Sequence, residues 1–354
     1  MGYCVVLGGH VETRSNRGRR QSLRVGFSVV LAVLSIDFIL SGALFADECH
    51  RMDIHSRHLE SVFVDSDMVV VGAKPDLWGT TMRAVELETR RERWQARAHF
   101  TIASAIFPSQ TLGFPRDVAL QGGHVLSVGT DGFLEARAKA TGELQWRLKI
   151  TDDSLWKVSV SNGKAFIAGR DGSVSVVDLD ARAIVWSKMK HEAMVRSVVY
   201  APALGAVVSA GFDGLVAVSN EADGGLLWEM SFPFRIKSAL YSHGLVLVAP
   251  WREDGADVKA YSFDKKNLIW ARSWHDQLAD GYRGKHHGVE EMIVHDGQVF
   301  TAGDDGQVVA ADAASGRPLW DAVGSGQSAR SVTVSNGNLV FVDRGGVLTI
   351  CALP

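Results

Sequence analysis

Six tryptophans, Trp94, Trp146, Trp186, Trp228, Trp270 and Trp320, recur at intervals of 52, 40, 42, 42 and 50 residues, and this return constrains the fold more than any other feature. In four units an Asp-Gly pair begins 15 positions before the tryptophan: Asp131-Gly132, Asp171-Gly172, Asp213-Gly214 and Asp305-Gly306. Another glycine, Gly123, Gly163, Gly205 or Gly297, lies eight residues before the aspartate. Self-similarity near 40 residues, with short alternating apolar runs between turn residues, predicts propeller blades rather than a helical solenoid.

Each unit reads as strand, glycine turn, strand, Asp-Gly turn, strand, polar turn, and a strand carrying tryptophan. By this template blades begin near Ser61, Asp117, Lys157, Ser197, Ser238, Glu291 and Ser331, which predicts an all-β, seven-bladed propeller of four-stranded antiparallel blades. The seventh unit stops at Pro354, where its fourth strand should follow. A ring left open would expose unpaired backbone groups, so the segment around Cys49 to His58 is expected to close it. Of the three cysteines, Cys49 falls in that closing strand and Cys351 in the strand it should pair with. A Cys49–Cys351 disulfide is therefore expected, against the alternative of two unrelated thiols.

Arg19, Arg20 and Arg24 precede a largely apolar run from Val25 to Ala46, interrupted by Asp37. Residues 1–46 therefore read as a signal peptide, cut after Leu44-Phe45-Ala46, or as a retained membrane anchor. Residues 47–59 read as closing strand and linker, and 60–354 as the propeller. Arg19-Arg20 loosely resembles a twin-arginine signal, and Cys49 lacks a lipoprotein context. An exported location, periplasmic or extracellular, is expected. Removing residues 1–46 takes five of 37 basic and two of 40 acidic residues, leaving 32 against 38 and a formal charge of -6. That balance argues against a nucleic-acid partner.

At Ala140-Thr-Gly-Glu-Leu-Gln-Trp146 and Asp312-Ala-Ala-Ser-Gly-Arg-Pro-Leu-Trp320 the units resemble the pyrroloquinoline-quinone (PQQ) type propeller repeat, a likeness covering about residues 60–354. WD repeats are the nearest alternative, but Trp320-Asp321 is the only Trp-Asp pair. The resemblance implies quinoprotein dehydrogenases on one branch and non-enzymatic scaffolds such as BamB on the other. The chain has no Cys-Cys pair and no calcium constellation matched residue by residue, so no dehydrogenase site is carried over. No nucleophile elbow, zincin helix or phosphate loop is present either. His99, His275, His286 and His287 could form a metal set on inserted loops, but exposed loop histidines are usually solvated, so no catalytic residue, cofactor or metal ligand is assigned. The scaffold reading is favoured, with a PQQ-dependent or small anionic-ligand-binding propeller as the alternative. Scaffolds of the BamB kind resemble eight-bladed lipoproteins, whereas seven units are counted here.

Insertions interrupt the template at Arg97–Pro115 and Ser273–Val289, between blades, and at Ala73–Thr81 and Pro250–Ala256, in place of an Asp-Gly turn. In a four-stranded meander both connection types emerge on one face, where the innermost strands also start. Those starts are Glu60, Arg116, Trp156, Arg196, Lys237, Glu290 and Arg330, four of them basic. The insertions add Trp78, Trp251, Trp274, Phe107, Phe114 and Tyr282, and aromatic rings are enriched in binding hot spots. The expected partner site, for a protein or peptide, therefore comprises Trp78, Trp251, Trp274, Tyr282, Arg116, Arg196, Lys237 and Arg330. The six repeating tryptophans are expected to dock blade on blade.

Overall fold

The computed structural model describes residues 49–54, 59–74, 80–97, 114–251, 256–274 and 288–353. Residues 1–48, Trp78, Tyr282, Phe107 and the histidines His99, His275, His286 and His287 lie outside the described residues. Among the described residues twenty-eight strands form seven four-stranded sheets, each antiparallel. The N-terminal strand β1 (Cys49–Asp53) belongs to the last blade. Blade 1 is β2 (Leu59–Val64), β3 (Met68–Ala73), β4 (Thr80–Glu86) and β5 (Glu92–Arg97). Blade 2 is β6 (Pro115–Gln121), β7 (His124–Gly129), β8 (Phe133–Ala138) and β9 (Leu144–Lys149). Blade 3 is β10 (Leu155–Ser161), β11 (Lys164–Gly169), β12 (Ser173–Asp178) and β13 (Ala183–Met189). Blade 4 is β14 (Val195–Ala201), β15 (Ala206–Gly211), β16 (Leu215–Asn220) and β17 (Leu226–Ser231). Blade 5 is β18 (Ile236–Ser242), β19 (Leu245–Pro250), β20 (Val258–Ser262) and β21 (Leu268–Arg272). Blade 6 is β22 (Val289–His295), β23 (Gln298–Gly303), β24 (Gln307–Asp312) and β25 (Pro318–Val323). Blade 7 is β26 (Ala329–Ser335), β27 (Asn338–Asp343), β28 (Val347–Ala352) and, outermost, β1. No helix among the described residues is long and apolar enough to cross a membrane.

Strand alternation builds the core. Successive side chains point to opposite sheet faces, so Ala165 and Ile167 of β11 pack toward blade 2 while Phe166 and Ala168 pack toward blade 4. Repeated around the ring, this gives seven apolar clusters, one in each seam between neighbouring blades. The seam between blades 7 and 1 joins Val340, Val342, Leu348 and Ile350 to Leu59, Val62, Val69 and Val71, so the ring is closed by packing as well as by β1. Each residue of β1 faces one of β28, from Cys49 opposite Cys351 to Asp53 opposite Val347, and the two sulfurs are bonded.

The recurring tryptophans lie across the seams. Trp94, Trp186 and Trp228 donate their indole N–H to backbone carbonyls of the next blade, Lys139, Glu221 and Phe263, at 2.8, 2.7 and 2.9 Å. Under the rings of Trp94, Trp186 and Trp270 sit Gly142, Gly224 and Gly316, all at positive φ, where a Cβ would come within 2.5, 2.8 and 2.7 Å of the indole. In blades 3 and 5 the equivalent position is Arg182 or Lys266. The rings facing them, Trp146 and Trp228, are the two of the six left half-buried, while the other four are buried.

Candidate functional site

Every innermost strand carries the same irregularity. The pairing register slips by one residue between Leu59 and Ser61, Pro115 and Asp117, Leu155 and Lys157, Val195 and Ser197, Ile236 and Ser238, Val289 and Glu291, and Ala329 and Ser331. The residue squeezed out at each slip is Glu60, Arg116, Trp156, Arg196, Lys237, Glu290 or Arg330. A bulge releases its extra residue from the ladder and re-aims the side chain. Here all seven line the central channel, around a cavity of about 240 Å³.

The ring divides into two halves. From blade 5 round to blade 1 it is ion-paired: Lys237 bonds Glu290, Arg330 lies 2.6 Å from Glu290 and 3.2 Å from Glu60, and these charges cancel. Burial tends to raise the Glu290 carboxyl, but Arg330 and Lys237 outweigh it and hold the group at about 2. Lys237 is drawn down to about 8 by burial, with Glu290 opposing and Arg196 and Arg330 adding to the fall. Across blades 2 to 4 the partners are aromatic. The Arg116 guanidinium stands 4.6 Å from the Phe114 ring and 4.4 Å from Trp156, and Arg196 stands 4.5 Å from Trp156 and 5.8 Å from Phe212. Trp251 stacks on Phe212 at 4.6 Å, and Arg235 covers both rings. Cation–π contact holds these guanidinium groups without neutralising them.

Beneath the ring, the residue after the bulge accepts an N–H from a neighbouring blade in five of the seven blades, while the Ser61 hydroxyl is buried without a partner among the described residues. Asp117 accepts the Val158 N–H at 2.9 Å, Glu291 accepts Val332 at 3.0 Å, and Ser197, Ser238 and Ser331 accept Ala239, Met292 and Val62. Lysine has no acceptor for this role. Lys157 instead reaches across the channel to Glu291 and lies 3.3 Å from Asp117, forming a floor under the mouth. Burial, reinforced by Glu291 and opposed by Lys157, raises the Asp117 carboxyl to about 6.

Of the residues expected to bind a partner, Arg116, Arg196, Lys237 and Arg330 thus meet in one ring, and Trp251 flanks it. Trp274 stands elsewhere. Its ring lies 5.8 Å from Trp270 and its indole N–H donates to the Gly316 carbonyl at 3.3 Å, so it fastens the outer edge of blade 5. Two features went unread in the sequence. Buried His191 bridges Asp213 at 3.0 Å and the Ser209 hydroxyl at 2.9 Å, the order of a nucleophile triad. Ser209 is 2% exposed, beyond reach of a substrate, and Asp213 also accepts the N–H groups of Glu192 and Leu215. The trio locks the β15–β16 turn. Secondly, Ile184-Val185, Leu226-Leu227 and Leu268-Ile269 lie exposed on the outer strands of three consecutive blades, immediately before the tryptophans.

A family model described as outer membrane protein assembly factor BamB, of the PQQ-repeat type, matches residues 78–263 and 254–353. The crystal structure of the computationally designed Ika8 protein is similar in fold, with a TM-score of 0.60 over 84% of this chain and 97% of that chain at 14% identity. No curated protein matches. A quinone with its calcium needs a group of carboxylate and carbonyl donors free to bind. Here Glu60 and Glu290 are engaged by Arg330 and Lys237, and no group of three His, Cys, Asp or Glu among the described residues is placed to hold a metal. The residues of the channel mouth do not fit that cofactor.

Proposed function

The chain belongs to the PQQ-repeat propeller family of the outer membrane protein assembly factor BamB, and from that premise we propose that it is an exported, non-catalytic scaffold holding a protein or peptide segment on its insertion-bearing face, in assembly at the cell envelope. One observation carries this reading: the seven bulges turn their side chains into the channel at the same end of the strands from which the four long connections depart. Trp251, from one of those connections, extends the ring outward with a half-buried aromatic face.

Export accords with residues 1–46, a basic flank before an apolar run, taken as a leader removed near Ala46. A disulfide between the chain ends belongs in an oxidising compartment. The test places a photo-crosslinking amino acid at position 251 and, as control, at exposed position 182 in the turn at the opposite end of the strands. Adducts with an envelope protein from position 251 alone are expected. Adducts from position 182 alone, or a chain retained in the cytosol, would refute the proposal.

A further inference from the structure

Arg196 is the channel-mouth cation that has no carboxylate in contact among the described residues. No carboxylate among the described residues lies within 4 Å of it, whereas Arg330 and Lys237 share Glu290 and Glu60 between them. Arg116 is little better served, with Glu60 at 3.9 Å. The Nε atoms of both arginines are buried without a hydrogen-bond partner. Burial pulls Arg196 down to about 10, and the nearby Arg330 and Arg116 add to the fall against Glu290 and Glu60. It is still charged at neutral pH.

Leaving cations uncompensated beside a cavity is costly unless something else supplies the anion. The ring holds four cations and two carboxylates, an excess of two positive charges in a domain whose formal charge is -6. Trp156 contacts both guanidinium groups, 4.4 and 4.5 Å from them, and holds both. A planar guanidinium so held presents N–H pairs in a fork matched to a carboxylate. The volume sets a further limit. About 240 Å³ is less than the roughly 300–1,000 Å³ of pockets that enclose drug-sized ligands, and suits one or two side chains.

The geometry points to a carboxylate-binding site at Arg116 and Arg196, the two guanidinium groups held against Trp156, filled by glutamate or aspartate side chains of an extended acidic segment entering the channel mouth. This rests on the scaffold reading and names the chemistry the partner segment carries. Lys157, Asp117 and Glu291 stop it from below, so the segment engages the mouth rather than threading the channel.

Calorimetric titration of the purified protein at low salt tests the assignment, with a Gly-Ser peptide bearing two adjacent glutamates, its diglutamine twin, and succinate. The glutamate peptide is expected to bind at least tenfold more tightly than the glutamine peptide. Arg196→Met should remove that preference and also raise Tm, because a buried unanswered charge is replaced by an apolar side chain of similar length. Lys188→Gln, at an exposed site on β13, should change neither. Tighter binding of the glutamate peptide than succinate assigns the carboxylate to a protein segment; succinate binding as tightly assigns it to a free dicarboxylate. Equal or no binding of all three probes, or an Arg196→Met protein that keeps its preference, would overturn the site. Crosslinking at position 251 surviving that failure would leave the scaffold reading standing.

Discussion

Removing the Cys49–Cys351 bridge tests how the ring is held shut. The bond spans 302 positions, so in the unfolded chain it closes a loop of nearly the whole propeller. Loop-closure entropy for such a length gives an upper bound of roughly 5–6 kcal/mol, and bridges of this kind more often contribute about 2–4. The seam between blades 7 and 1 and the five residue pairs of β1 with β28 remain when both cysteines become alanine. The double variant Cys49→Ala/Cys351→Ala should therefore fold to the same circular-dichroism spectrum and lose about 2–4 kcal/mol in urea unfolding. A chain beginning at residue 54 should lose more. It lacks β1 itself, and the outward backbone groups of β28 go unpaired. The reasoning is refuted if the double variant unfolds at the parent's midpoint with the same slope, or if truncation costs no more than the cysteine change.

Gly224→Ala should destabilise by about 1–3 kcal/mol more than Gly163→Ala, because both sit at positive φ but only the first would push a Cβ into an indole, that of Trp186; paired thermal melts measure the difference. Glu290→Gln leaves buried Lys237 and Arg330 without their shared counter-charge and should cost about 3–5 kcal/mol in denaturant unfolding. Asp213 is pushed up by burial but brought below the ordinary carboxylate range by the hydrogen bond from His191 and then by the Leu215 and Glu192 N–H groups. A carboxyl lowered in the folded state stabilises above its unfolded pKa, near 3.9, and loses that contribution as pH falls through the folded value. The stability gap between parent and Asp213→Asn should be full at pH 6 and close below about pH 4; a gap that widens on acidification would show the assignment wrong.

Architecture was legible because propeller geometry repeats its demands in sequence. Asp-Gly pairs mark turns in which the aspartate accepts the N–H two residues on, as Asp171 does from Ser173 and Asp213 from Leu215. The missing seventh tryptophan strand pointed to β1. The channel-mouth ring was legible only as a row of strand starts, because a one-residue slip leaves no composition signal. Two kinds of feature escaped. The Ser209–His191–Asp213 contact joins residues 18 and 22 apart that converge only once the turn is folded. The paired aliphatics on β13, β17 and β21 read as ordinary strand residues, and only the outer position of those strands exposes them. Trp274, placed with the partner set by its inserted loop and its aromatic ring, is held at the outer edge of blade 5.

The bulge explains why one rim of the disc can be chemically distinctive while the body stays uniform. Along an innermost strand, the residue after the slip faces the seam, and in five blades a serine, aspartate or glutamate there accepts the neighbour's N–H. The bulged residue itself pairs with nothing in its own ladder, so glutamate, arginine, lysine or tryptophan can stand there without disturbing the sheet. The chemistry of the ring is thus set apart from the ladder that carries each blade. Lys157 shows the limit of that separation. Placed at a seam position where it cannot accept a hydrogen bond, it is compensated from two other blades by Asp117 and Glu291, and the compensation is what floors the channel.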